Sequence, residues 1–182
     1  VGEIGPVSTA LTAELAQRGR SVQQANEFVS GEWGGVAYVP AAGAAAETAA
    51  GAVLALVQAV VAAPSRPRLW LVTHGAMPVD AVEAAVLAVG EAPLWGIGRV
   101  VALEHPESWG GLIDLPPVVA ATEIARLVDE LLGSDGEDQL ALRPGRRLVA
   151  RLARRALPDS PGLRLHADAA YWVTGGFGAL GL

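Results

Sequence analysis

Near the end of the chain, Thr174, Gly175, Gly176, Phe177, Gly178, Ala179 and Leu180 follow the β-rich run AAYWVT at residues 169–174. Gly176, Gly178 and Gly181 stand there at Gly-x-Gly-x-x-Gly spacing. Bare backbone lets the chain turn tightly and lets a pyrophosphate approach the amides. It also lets a following helix pack on the sheet with its positive end toward phosphate. The spacing alone is weak, and the strand-like run ahead of it supplies the context that the chemistry needs. Thr174 to Leu180 are therefore the candidate cofactor-binding residues, with an ordinary flexible turn as the alternative. The residue that would choose between the two nicotinamide dinucleotides is expected about 20 positions further on, outside this chain.

Other residue types capable of chemistry have structural readings. Gly2 to Gly5 has similar grammar but lacks the third glycine, and Pro6 removes an amide that phosphate would want, so a structural turn is expected. His74, His105 and His166 have no second ligand at metal spacing, and no metal site is expected. Ser8, Thr9, Ser65 and Ser108 lack a Gly-x-Ser-x-Gly elbow, which leaves capping and turn roles. Trp95 and Trp109 sit among apolar neighbours and read as core. Arg146, Arg147, Arg151, Arg154 and Arg155 form a basic cluster that fits either an acidic carrier protein or a solvated strand edge.

Composition removes whole classes of mechanism. All 13 strongly basic side chains are arginine, so the chain carries no phosphate-loop lysine, no Schiff-base lysine and no Tyr-x-x-x-Lys pair. The absence of cysteine excludes disulfides and thiolate chemistry and agrees with a reducing compartment, for which cytoplasm is the expectation. A net charge of -6 argues against a nucleic-acid partner, because phosphate neutralisation needs a basic face. The apolar helical run at residues 49–63 falls short of the roughly 20 residues that a bilayer span requires, so no membrane role is expected.

The elements that must position the glycine run alternate along the chain, apolar strands with amphipathic helices, which implies an α/β fold with a largely parallel sheet. Helices are expected after Pro6, with Val7, Leu11 and Leu15 inward, and at 47–63, with Val53, Leu56, Val57 and Val60 inward. A long helical stretch interrupted by Pro93 is expected at 80–103, and a further helix at 120–132. Strands are expected at 21–28 (weak), 35–39, 68–73 and 109–115. An antiparallel pair, 139–143 with 147–152, should turn around Pro144-Gly145. The chain opens at a turn with no strand ahead of it, and a strand is expected upstream. Residues 156–168, rich in Pro, Asp, Ser and Gly, read as a linker between a domain at 1–155 and the start of another at 169–182.

The segment APLWGIGRVVALEHPESWGGLIDL at residues 92–115 resembles the ketoreductase domains of modular polyketide synthases. In these a Trp-Gly-hydrophobic-Gly-Arg helix leads through Glu-His-Pro-Glu to a Trp-Gly-Gly strand. Residues 139–152 and the run from Tyr171 to Leu180 continue the likeness in the family's order. The resemblance implies a pair of Rossmann-like short-chain-dehydrogenase halves. The first would be a structural subdomain without cofactor, and the second would begin with the strand and Gly-rich turn at 169–182. It further implies NADPH as cofactor, neighbouring synthase domains, and an acyl carrier protein bearing a phosphopantetheine-linked β-ketoacyl chain as partner. The family's tyrosine, serine, lysine and asparagine follow the Gly-rich turn and have no counterpart here, so no catalytic residue is assigned. Phe177 departs from the family's usual threonine or leucine, which would remove a side-chain contact to phosphate and spare the backbone ones. An inactive brace for neighbouring domains is the alternative, and an unrelated small protein with a flexible glycine tail a further one.

Overall fold

The computed structural model describes residues 1–41, 43–80, 83, 87–133, 135–154, 162 and 164–179. The chain divides into two compact units, Val1–Ala150 and Arg151–Leu182. In the first, the element order is α1 (Pro6–Gln17), β1 (Gly35–Tyr38), α2 (Ala46–Ala62), β2 (Arg68–His74), α3 (Ala92–Glu104), β3 (Trp109–Leu115), α4 (Ala121–Leu132), β4 (Gln139–Arg143) and β5 (Arg146–Val149). The five strands lie in sequence order, β1 to β4 parallel and β5 antiparallel on β4. The fold is the expected Rossmann-like α/β layer.

The apolar runs explain why the sheet forms where it does. β2 and β3 are covered on both faces, and such strands read as continuous apolar sequence. Leu69, Leu71, Leu112 and Ile113 are each buried to within 1%, and burying one such side chain stabilises the fold by about 1.5–3 kcal/mol. One face carries α2 and α3, with Val53, Val60, Leu94 and Trp95 packed on Leu69, Leu71 and Leu112. The other carries α1 and α4, where Leu11, Leu127 and Val128 meet Val72, Ile113 and Leu140. No helix among the described residues is long and apolar enough to cross a membrane.

Four sequence expectations need correction. Residues 21–28 form no strand. Gln23, Gln24 and Asn26 interrupt the apolar alternation, and Gln24 instead donates to Ser8 Oγ at 2.8 Å. The helix expected from residue 80 begins at Ala92, with Pro93 in its first turn. Proline fits there because the first turn needs no internal N–H bond, so it starts the helix and does not interrupt it. Residues 81, 82 and 84–86 of that expected helix lie outside the described ones. The chain does not open on a bare turn either: Gly2 makes a parallel bridge to Val39, and the Val39 amide donates to the Val1 carbonyl at 3.0 Å.

The fourth correction concerns the second unit. Residues 170–173 pair with no strand among the described residues, and Tyr171, Trp172 and Val173 are exposed. Aromatic and β-branched composition favours a strand only when a neighbouring ladder and a buried face are present. Residues 156–161 and 163 of the expected linker 156–168 lie outside the described residues.

Candidate functional site

Within the second unit, Thr174 to Phe177 form a turn in which Gly175 has φ +72°, a left-handed conformation that glycine adopts without strain. The Gly178 amide donates to the Gly175 carbonyl at 2.8 Å and closes the turn. A Cβ at Gly178 would come within 3.2 Å of that carbonyl, and one at Gly176 within 3.3 Å of Val173 Cγ1. Thr174, Gly175, Phe177, Gly178 and Ala179 are exposed, with Phe177 at 98%. Leu180 lies outside the described residues. A dinucleotide loop asks for glycine where φ is positive and for backbone within reach of phosphate. The turn meets both requirements in residue type and exposure. The Gly178 amide is committed within the turn, so the six described residues form no phosphate cradle by themselves.

The first unit offers a second place to look, since open parallel sheets place ligands beyond the carboxyl ends of their strands. Its opening turn is occupied by its own side chains. The Gly5 amide donates to Ser8 Oγ at 2.9 Å, and Ser8 Oγ donates back to the Gly5 carbonyl at 3.1 Å. Gly2, at φ +118°, is glycine because a Cβ would stand 2.2 Å from the Val39 carbonyl oxygen. Its conformation serves the approach of two backbones.

At the carboxyl ends of β2, β3 and β4 lies a cluster that the sequence reading did not single out. Asp114 is completely buried and Arg143 is 2% exposed. Arg143 Nη2 donates to Asp114 Oδ2 at 2.7 Å and to the Met77 carbonyl at 2.9 Å. Its Nη1 donates to the carbonyls of Asp114 and Leu142, and its Nε lies 2.8 and 2.9 Å from the two Glu83 carboxylate oxygens. All five guanidinium N–H groups are thereby engaged. Asp114 Oδ1 in turn accepts from Thr73 Oγ1 at 2.6 Å and from the Ala76 amide at 2.9 Å. Thr73 Oγ1 accepts the Trp95 indole N–H at 3.0 Å.

The electrostatics follow from this packing. Burial works against the charge on Arg143, but Glu83 and Asp114 outweigh it and hold the guanidinium above its usual range. The hydrogen bond from Arg143 depresses the Glu83 carboxyl. Beside this cluster, Glu91 Oε2 accepts the His74 amide at 2.7 Å. Burial lifts the Tyr38 phenol above its ordinary range, and the Glu91 charge adds to the effect. The carboxyl end of the first sheet is therefore filled by the protein's own polar groups.

The remaining nominated residues take local roles. Trp95 and Trp109 are buried in the core, as expected, and Trp109 also donates to Asp138 Oδ2 at 3.0 Å. Ser65 Oγ donates to the Gly31 carbonyl at 2.8 Å. Arg147 pairs with Glu130 and Asp135, and Arg146 lies 3.8 Å from Asp80, so this part of the basic cluster belongs to ion pairs along the β5 edge. The missed residues left a readable trace. Asp114 within GLIDL and Arg143 at the end of QLALR are charges in strands that the sheet buries, and buried charges require partners.

Comparison with known proteins agrees with this architecture. The family described as polyketide synthase extender module SpnB, Rossmann fold domain, matches residues 3–152. The chain belongs to this family. It is 45% identical over 122 residues to the pikromycin polyketide synthase component PikAII of Streptomyces venezuelae, covering 67% of this chain and 3% of that protein. It is 39% identical over 181 residues to the erythronolide synthase EryA3 of Saccharopolyspora erythraea, covering 99% of this chain and 5% of that protein. Its fold matches an A1-type ketoreductase with a TM-score of 0.59 and 36% identity over 85% of this chain and 32% of the other. A C2-type ketoreductase from a modular polyketide synthase matches with a TM-score of 0.55 and 47% identity over 59% and 23% of the two chains. The chain thus spans less than a tenth of these two synthases and about a third or less of these ketoreductases. Over that length it is similar to ketoreductases of modular polyketide synthases.

Proposed function

We propose that Val1–Ala150 is the scaffold half of a polyketide synthase ketoreductase and that the glycine turn after it opens the cofactor-binding half. The complete domain reduces a β-ketoacyl thioester, carried on the phosphopantetheine arm of an acyl carrier protein, to the β-hydroxyacyl thioester. NADPH, when bound, supplies the hydride that the β-carbon accepts, while the carbonyl oxygen takes a proton. Thr174, Gly175, Gly176, Phe177, Gly178, Ala179 and Leu180 would hold the cofactor in the complete domain, once the rest of that half completes the site. Neighbouring synthase domains flank the unit, and the protein works in the cytoplasm.

The observation that carries this reading is the contrast between the two glycine turns. In the first the Gly5 amide is taken by Ser8 Oγ and Pro6 has none to offer, whereas the second keeps exposed glycines around a left-handed Gly175. General-acid catalysis needs a positioned proton donor, and the family's tyrosine-lysine device is absent here, all 13 strongly basic residues being arginine. The 182-residue chain alone should therefore give no turnover. The test is reduction of a β-ketoacyl thioester with NADPH by the complete ketoreductase and by the chain alone. Turnover by the first and none by the second is expected. A complete domain that binds NADPH without turnover would favour the inactive brace, and turnover by the chain alone would overturn the division of labour.

A further inference from the structure

We draw no further inference here: the strongest candidate, the outward apolar face that α2 and α3 present through Gly51, Leu54, Gly96, Val100 and Leu103, carries nothing because nothing in the structure shows what covers it.

Discussion

The turn at Gly2–Pro6 and the turn at Thr174–Ala179 contain similar residues under opposite constraints. At Gly2 the absent side chain is demanded from inside, since a Cβ would strike the Val39 carbonyl at 2.2 Å. At Gly175 nothing lies within 4 Å of that position, and only φ +72° asks for glycine. The amide of Gly5 is spent on Ser8, and Pro6 has no amide to offer. Glycine spacing by itself does not distinguish a ligand loop from a backbone crossing. What distinguishes them here is the local constraint: the Val39 backbone closes off Gly2, whereas the space beside Gly175 is open.

The largest expected effect lies at the carboxyl end of the first unit's sheet, which its own polar side chains fill. Arg143→Ala leaves Asp114 buried without its cation, and such a loss costs roughly 3–5 kcal/mol. Denaturant unfolding of the variant should show it, together with a loss smaller than the sum of the single losses when Asp114 is replaced as well. Full additivity would mean that the two charges do not act as a pair. Next in size is Gly110→Ala, whose Cβ would lie 2.4 Å from the Trp70 ring. Overpacking of this kind costs about 1–3 kcal/mol. Gly175→Ala, in open space, should cost the second unit only the left-handed backbone penalty of about 1 kcal/mol.

Of similar size in its hydrogen-bond part is Trp95→Phe, which keeps an aromatic ring in the core and removes the N–H that Thr73 accepts. A loss of about 1 kcal/mol for the hydrogen bond is expected, beyond the change in packing. Acid titration gives a further check. Glu83 has a depressed carboxyl in the folded state because Arg143 donates to it. Its contribution is therefore complete above the unfolded carboxylate value, about 4.3, and is lost as pH falls through the lower folded value. Melting temperatures of Glu83→Gln should accordingly depend less on pH below about 4.3 than those of the parent protein. Equal slopes would place Glu83 outside the cluster's energetics.

Much of the first unit was legible because its strands are short apolar runs between turn residues, and because the inward positions of α2 recur at helical spacing. Pro93 was misread because sequence alone does not show which side of a helix boundary a proline occupies. Residues 169–174 were misread for a different reason: a strand exists only with ladder partners, and composition names none. The glycine turn was legible as residue grammar, while its internal closure by the Gly178 amide was not. Asp114 and Arg143 were the largest omission. In sequence they look like ordinary charges at strand ends, and only the parallel register of β3 and β4 brings them together.

The most direct measurement is NADPH titration of the complete ketoreductase carrying either Gly178→Val or Gly5→Ala, with a melting curve for each. Gly178→Val adds bulk where backbone should meet phosphate, and affinity should fall at least tenfold while the first unit keeps its melting transition. Gly5→Ala adds a methyl group with nothing within 4 Å, and affinity should not change. Unchanged affinity in a folded Gly178→Val protein, or a loss of affinity in a folded Gly5→Ala protein, would contradict the assignment of the cofactor to the second turn.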